Sequence, residues 1–218
     1  MRGRACPPIR ARRPFDIGPR WEPMTSVAAV ARARVVVAAG LAGLLVASFV
    51  AAGRADGATR AWNAYLAPTS ACRSADDSAA PAAVQVRAVT CLVNWARAHD
   101  SRRRLVRRPA LERAATLKGE RVASCGQFSH TPCGSAVTAA VHAAGYRYAT
   151  FGENLFAGSW GQVSARDVVS AWLQSPEHRA NILGPRFRDL GAAPVLAHGL
   201  LDGGDAVVWT ATFGSRRS

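Results

Sequence analysis

Apolar positions along this chain recur first at helical spacing and, near the end, at strand spacing. In AAVQVRAVTCLVNWARAH, Val86, Val89, Val93 and Ala96 return every three or four residues, which predicts a helix from about residue 83. Pro109 opens a second helix, where its missing N–H costs nothing, and Leu111, Ala114, Ala115, Lys118 and Val122 share one of its faces. SAVTAAVHAAG predicts a third, with Ser135 as N-cap and Gly145 as its stop. Ser164 and Asp167 have the spacing of a capping box ahead of DVVSAWLQ. In SPEHRANIL, Ser175 is the expected N-cap and Pro176 the first helical residue. LGAAPVLA and DAVVWTATFG then read as strands joined by HGLLDGG, a hairpin connection. Helices followed by a terminal β-hairpin predict an α+β fold, with helices packed on a small sheet.

Upstream the pattern is different. Residues 35–53, VVVAAGLAGLLVASFVAAG, are uncharged and bracketed by Arg32, Arg34 and Arg54. This segment reads as a signal-peptide core or a single membrane anchor that directs the rest of the chain out of the cytoplasm. Residues 1–34 form a basic head. Met24 precedes a well-formed signal of its own, so residues 1–23 read as a misassigned start or a cytoplasmic tail. Residues 54–82, rich in Ala, Ser, Asp and Pro, read as a linker, and the domain proper is expected from 83 to 214.

A formal net charge of +14 at first suggests a polyanion partner. Half of that excess lies before residue 55, in the targeting region, and Lys118 is the sole lysine among the cations. The arginine run at 102–108 reads as a solvated loop, because no aromatics interleave with it as they do in single-strand binders. No nucleic-acid partner is expected. There is no Gly-rich phosphate loop and no GxSxG elbow.

Setting aside Cys6, four cysteines remain in the exported part: Cys72, Cys91, Cys125 and Cys133. An even count in an oxidising compartment points to two disulfides rather than zinc, since CxxC spacing is absent. Three connectivities are open, and the local one, Cys72–Cys91 with Cys125–Cys133, is preferred.

Three residues stand out as candidate chemistry. His130 lies in FSHTPCG, before a proline, and Glu153 lies in FGENLF among apolar neighbours, where a carboxylate is either paired or poised. His178 comes directly after Glu177 at the start of SPEHRANIL. Adjacent helix positions point about 100° apart, so Glu177 and His178 cannot share one pocket. Glu177 is expected to complement the helix dipole. His178, in line with Asn181 and Ile182, is left free to meet distant residues.

FSH (128–130), GENL (152–155), Trp172 with SPEHRANIL (175–183) and the closing WTATFG (209–214) together resemble the bacterial branch of the CAP superfamily. Its members are the cysteine-rich secretory, antigen 5 and pathogenesis-related proteins, also called SCP-like extracellular proteins. LVNWARA and PALERAA are similar to the family's first two helices. The resemblance implies a three-layer α–β–α sandwich with a cleft where histidines and glutamates meet. His130 matches the first histidine and Glu153 the first glutamate. Ser175 stands where eukaryotic members often carry a second glutamate, and His178 is the histidine of the bacterial branch. Two imidazoles and one carboxylate form a partial ligand set for Zn²⁺ or another divalent cation, with Asn154 and Asn181 as supporting partners.

The expectation is therefore an extracellular or cell-envelope module, monomeric, binding a lipid, a cell-wall polymer or another ligand in a cleft of His130, Glu153 and His178. Its membrane contact would run only through residues 35–53. The alternative is an extracellular hydrolase, protease-like or cell-wall-directed, using the same cleft with Glu153 or a His-activated water as base.

Overall fold

Val207, Trp209, Ala211 and Phe213 alternate with Val208, Thr210 and Thr212, and all seven are buried. A strand buried on both faces needs cover on both, and that requirement organises the molecule. The computed structural model describes residues 61–217. The segments 1–34 and 35–53 lie outside the described residues, among which no helix is long and apolar enough to cross a membrane.

In chain order the elements are α1 (Ala82–His99), β1 (Val106–Arg107), α2 (Pro109–Cys125), α3 (Ala139–Ala143), β2 (Tyr148–Ser159), α4 (Ala165–Gln174), α5 (Pro176–Leu183), β3 (Asp189–Leu201) and β4 (Gly204–Arg216). The sheet order is β1-β3-β4-β2, with β1 parallel to β3 and the other pairs antiparallel. One face of β4 joins α1, α4 and α5 in the main core, where Trp172, Leu92 and Ile182 meet Trp209 and Phe213. The other face is covered by α2, with Val122 against Val208 and Ala197. The result is the expected α+β fold in three layers, closed by a terminal strand pair. Gly191 lets α2 come this close, since a side chain there would collide with the Leu111 backbone.

Several local readings hold. Ser164 and Asp167 form a complete capping box for α4. The β3–β4 turn places Asp202 and Gly203 at positive φ, 47° and 81°, the hand that suits a tight hairpin. Both disulfides form with the expected pairing, Cys72–Cys91 and Cys125–Cys133.

Other readings need correction. The third helix is only five residues, and Ser135 does not cap it, because its hydroxyl donates to the Pro132 carbonyl instead. The 54–82 linker is not free over its described part. Ala67, Cys72 and Ala75 are buried in the main core, and Arg166 of α4 donates to Asp76 and to the Ala67 carbonyl. Alanine-rich sequence hid this packing, because it has little periodicity to display. Finally, β2 carries no strand signature in the sequence. Gly152, Glu153, Asn154 and Leu155 are all buried, so polar residues occupy inward positions and no apolar alternation survives.

Candidate functional site

Lys118 begins the site. It falls on the buried stripe of α2, between Ala115 and Val122, and its side chain is only 2 % exposed. A lysine there must find acceptors, since an unpaired buried cation is costly. Its Nζ donates to the carbonyls of His130 (2.6 Å) and Val137 (3.3 Å) and lies 3.2 Å from Glu153 Oε1. Helix α2, the His130 loop and β2 are thereby tied to one ammonium.

Glu153 sits mid-strand in β2, its side chain 3 % exposed. The oxygen that faces Lys118 also meets His130 Nδ1 at 2.8 Å. His130 itself is 49 % exposed, so it bridges a buried carboxylate and solvent. Its loop is short and closed, because the Cys125–Cys133 disulfide brackets it and Cys133 N donates to Gln127 Oε1. A carboxylate only accepts hydrogen bonds, so Nδ1 carries a proton, and in the neutral ring Nε2 presents its lone pair. The hydroxyls of Ser129 and Thr131 pair with each other at 3.4 Å, and among the described residues neither bonds to the imidazole.

The second wall is α5. Asn154 Nδ2 donates to the His178 carbonyl (3.0 Å), and Asn181 Nδ2 donates to Glu153 O (3.1 Å) and Asn154 Oδ1 (2.8 Å). Gly152 makes room, because a Cβ there would stand 2.7 Å from Asn181 Oδ1. Asn154 is fully buried and spends its amide on the protein. The amides of Asn154 and Asn181 thereby tie β2 to α5. At the far end of α5, the buried Arg97 donates to the carbonyls of Ile182 (2.7 Å) and Gly184 (3.0 Å). A cation suits that negative helix end. Burial, then neighbouring Arg188 and Arg102, lower its pKa to about 10, still charged at neutral pH.

His178 stands in the first turn of α5. Its pKa is lowered by burial first and by the charge of His130 second, with Glu177 pulling weakly the other way. The two imidazoles are thus electrostatic neighbours. Among the described residues the His178 ring makes no hydrogen bond, to Glu153 or to any other group. Glu177 stays in the first turn, as expected.

The expected metal set of His130, Glu153 and His178 does not survive this geometry. An ammonium occupies the approach to Glu153 Oε1, and the same oxygen is already bonded to His130. Among the described residues no group of three or more His, Cys, Asp or Glu side chains is arranged to hold a metal ion. Lys118 already supplies a positive charge beside Glu153 Oε1. Motif reasoning passes over this lysine as site chemistry, although a sole lysine on an apolar helical stripe is a visible signal.

This arrangement defines an α–β–α domain in which a half-exposed histidine is backed by a buried carboxylate of β2. Residues 91–212 match the model of the cysteine-rich secretory protein family, CAP, and the chain belongs to that family. It is 29 % identical over 153 residues to the uncharacterised protein YkwD of Bacillus subtilis, a match covering 69 % of this chain and 55 % of that one. The chain thus spans about half the length of that relative. The fold is similar to an extracellular SCP-domain protein from Bacillus anthracis, with TM-score 0.53, 18 % identity, and 62 % and 41 % of the two chains covered. It is also similar to an outer surface protein from Borrelia burgdorferi, with TM-score 0.51, 19 % identity, and 59 % and 90 % covered.

Proposed function

We propose that this chain is an exported CAP-domain protein that binds a polar extracellular ligand in the cleft of His130, Glu153 and His178. Export is supported by the two disulfides, which persist in oxidising compartments, and by likeness to proteins described as extracellular or outer-surface. One observation carries the binding role: the 2.8 Å bond from His130 Nδ1 to a buried carboxylate, on a ring that is half exposed. With Nδ1 spent, Nε2 is the nitrogen left for a ligand, and in the neutral ring it accepts from a hydroxyl or amide N–H. Sugars of a cell-wall polymer and the hydroxyl of a lipid both offer such donors. His178, held toward its neutral form, adds a second imidazole without repelling the first.

The test is titration of the full chain with solubilised peptidoglycan fragments and with a hydroxylated lipid, observing the His130 ring by NMR. A shift of that ring on binding, and loss of binding in His130→Ala, is expected. Equal affinity of wild type and His130→Ala removes the cleft from the reading.

The same dyad favours a second reading, a hydrolase in which His130 backed by Glu153 deprotonates water. Turnover of peptide, ester or peptidoglycan substrates that disappears in Glu153→Gln would promote it. Binding without turnover keeps the first reading.

A further inference from the structure

The arginine run at 102–108 does not form one charged patch. Arg102 pairs with Asp100, Arg107 with Glu112, and Arg108 turns away to the buried Asp189. Arg108 instead converges with arginines distant from it in sequence. Arg108, Arg147, Arg216 and Arg217 line one surface pocket of about 370 Å³ together with Gly145 and Tyr146. They come from the start of α2, the turn before β2 and the end of β4. That turn and that strand end are linked by the bond from Arg217 N to Arg147 O.

We propose that this pocket is a binding site for a phosphoryl-bearing anion, a phosphate ester or phosphodiester, separate from the His130 cleft. Four arginines line this pocket, and Asp189 pairs with two of them, Arg108 and Arg216. Asp189 is buried and fully engaged: Arg108 Nε at 2.8 Å, Arg216 Nε at 3.6 Å, and the Tyr146 hydroxyl donating at 2.7 Å. It therefore orients Arg108 and Arg216 through their Nε atoms, and among the described residues no hydrogen bond uses the Nη groups of either. Arg147 and Arg217 make no ion pair among the described residues. Like charges gathered around a concave site, two of them oriented by a buried counter-charge and two exposed and unpaired, are arranged to receive an anion of more than one charge. Guanidinium forks match the oxygens of a phosphoryl group, and a lone carboxylate ligand carries too little charge to balance this set.

An adjoining pocket of about 300 Å³ shares Tyr146, Arg147 and Arg217 and adds an aromatic wall, His142 against Tyr148 at 5.6 Å between ring centres. That wall suits the organic part of a phosphate ester. The site lies near Tyr148, five residues before Glu153 on β2, or roughly 16 Å along the strand. It does not depend on the cleft reading.

The test uses the full chain with inorganic pyrophosphate, measured by titration calorimetry, and sedimentation with phosphatidylglycerol–phosphatidylcholine vesicles. Wild type should bind pyrophosphate with an affinity that falls as salt rises. Arg147→Ser with Arg217→Ser should weaken it about tenfold or more, since each charge-assisted bond contributes more than a neutral one. Both side chains are exposed and unpaired, so the variant's thermal midpoint should match wild type, which confirms that it folds. Arg102→Ser with Arg107→Ser is the control of equal charge loss and should stay within about twofold, because those arginines face their own acids. Loss of vesicle retention alongside pyrophosphate binding assigns a lipid headgroup, and unchanged retention assigns a soluble or polymeric phosphate. Unaltered pyrophosphate affinity in Arg147→Ser/Arg217→Ser, or an equal loss in the control, overturns the site.

Discussion

Lys118 Nζ and His130 Nδ1 converge on one oxygen of Glu153, at 3.2 Å and 2.8 Å. The carboxylate is thereby neutralised from the helical side and oriented toward the imidazole from the loop side. Removing the ammonium should be costly, because breaking a buried pair leaves an uncompensated charge. Lys118→Met is expected to lose about 3–5 kcal/mol in urea unfolding, and Lys118→Met with Glu153→Gln should recover part of that. A single variant that unfolds within about 1 kcal/mol of wild type would show that the ammonium does not hold Glu153.

The Cys125–Cys133 disulfide should matter for the site more than for the fold as a whole. It closes a short loop around His130, away from the main core. Chain-entropy arithmetic gives about 2–3 kcal/mol for a loop of this length, so Cys125→Ser with Cys133→Ser should remain folded but less stable. The backbone amides of residues 127–132 should exchange faster with deuterium, while those of β4 stay protected. Unchanged exchange in the loop would mean that the Lys118–His130 O bond alone fixes it.

Legibility in the sequence depends on which residues repeat. The α1, α2 and α4 helices and the β3–β4 pair bury one face or one alternation of apolar side chains, so periodicity exposes them. Strand β2 buries Glu153 and Asn154, and those are what a hydrophobic pattern cannot mark as inside. The dyad was legible only in part. His130 and Glu153 are named by their motifs, but the contact between them depends on a loop folding back over 23 residues. The expected zinc set left Lys118 out for a similar reason. Nothing local to FSH or GENL announces that a lysine on α2 will reach the same carboxylate.

Protonation of His178 should be felt in stability. Burial and the His130 charge hold its pKa below the ordinary 6.5, so the folded chain binds this proton less readily than the unfolded chain does. Its contribution is fully present above the unfolded value and is lost as pH falls through 6.5 toward the lowered folded value. Unfolding free energy should therefore drop as pH falls through the ordinary histidine value of 6.5, and His178→Gln should flatten part of that slope. A slope identical in wild type and His178→Gln would show that the ring is free to charge in the fold.

Gly152 and Asn181 should behave as one unit. A methyl group at 152 would lie 2.7 Å from Asn181 Oδ1 and 2.8 Å from Phe187 Cζ, tighter than real contacts allow. Asn181 is also the donor to Glu153 O and Asn154 Oδ1, so pushing it away leaves two acceptors without their partner. Gly152→Ala is expected to cost about 1–3 kcal/mol through overpacking, and Asn181→Ala about 1–3 kcal/mol through the lost bonds. In the Asn181→Ala background much of the obstacle is gone, with Phe187 still in place, so Gly152→Ala should cost less there than in wild type. The coupling is read by a double-mutant cycle in denaturant, with the His130 and His178 ring signals as a second readout. Purely additive losses would separate the glycine from the Asn181 contact. A positive coupling with shifted histidine signals would tie the glycine of GENL directly to the seat of SPEHRANIL.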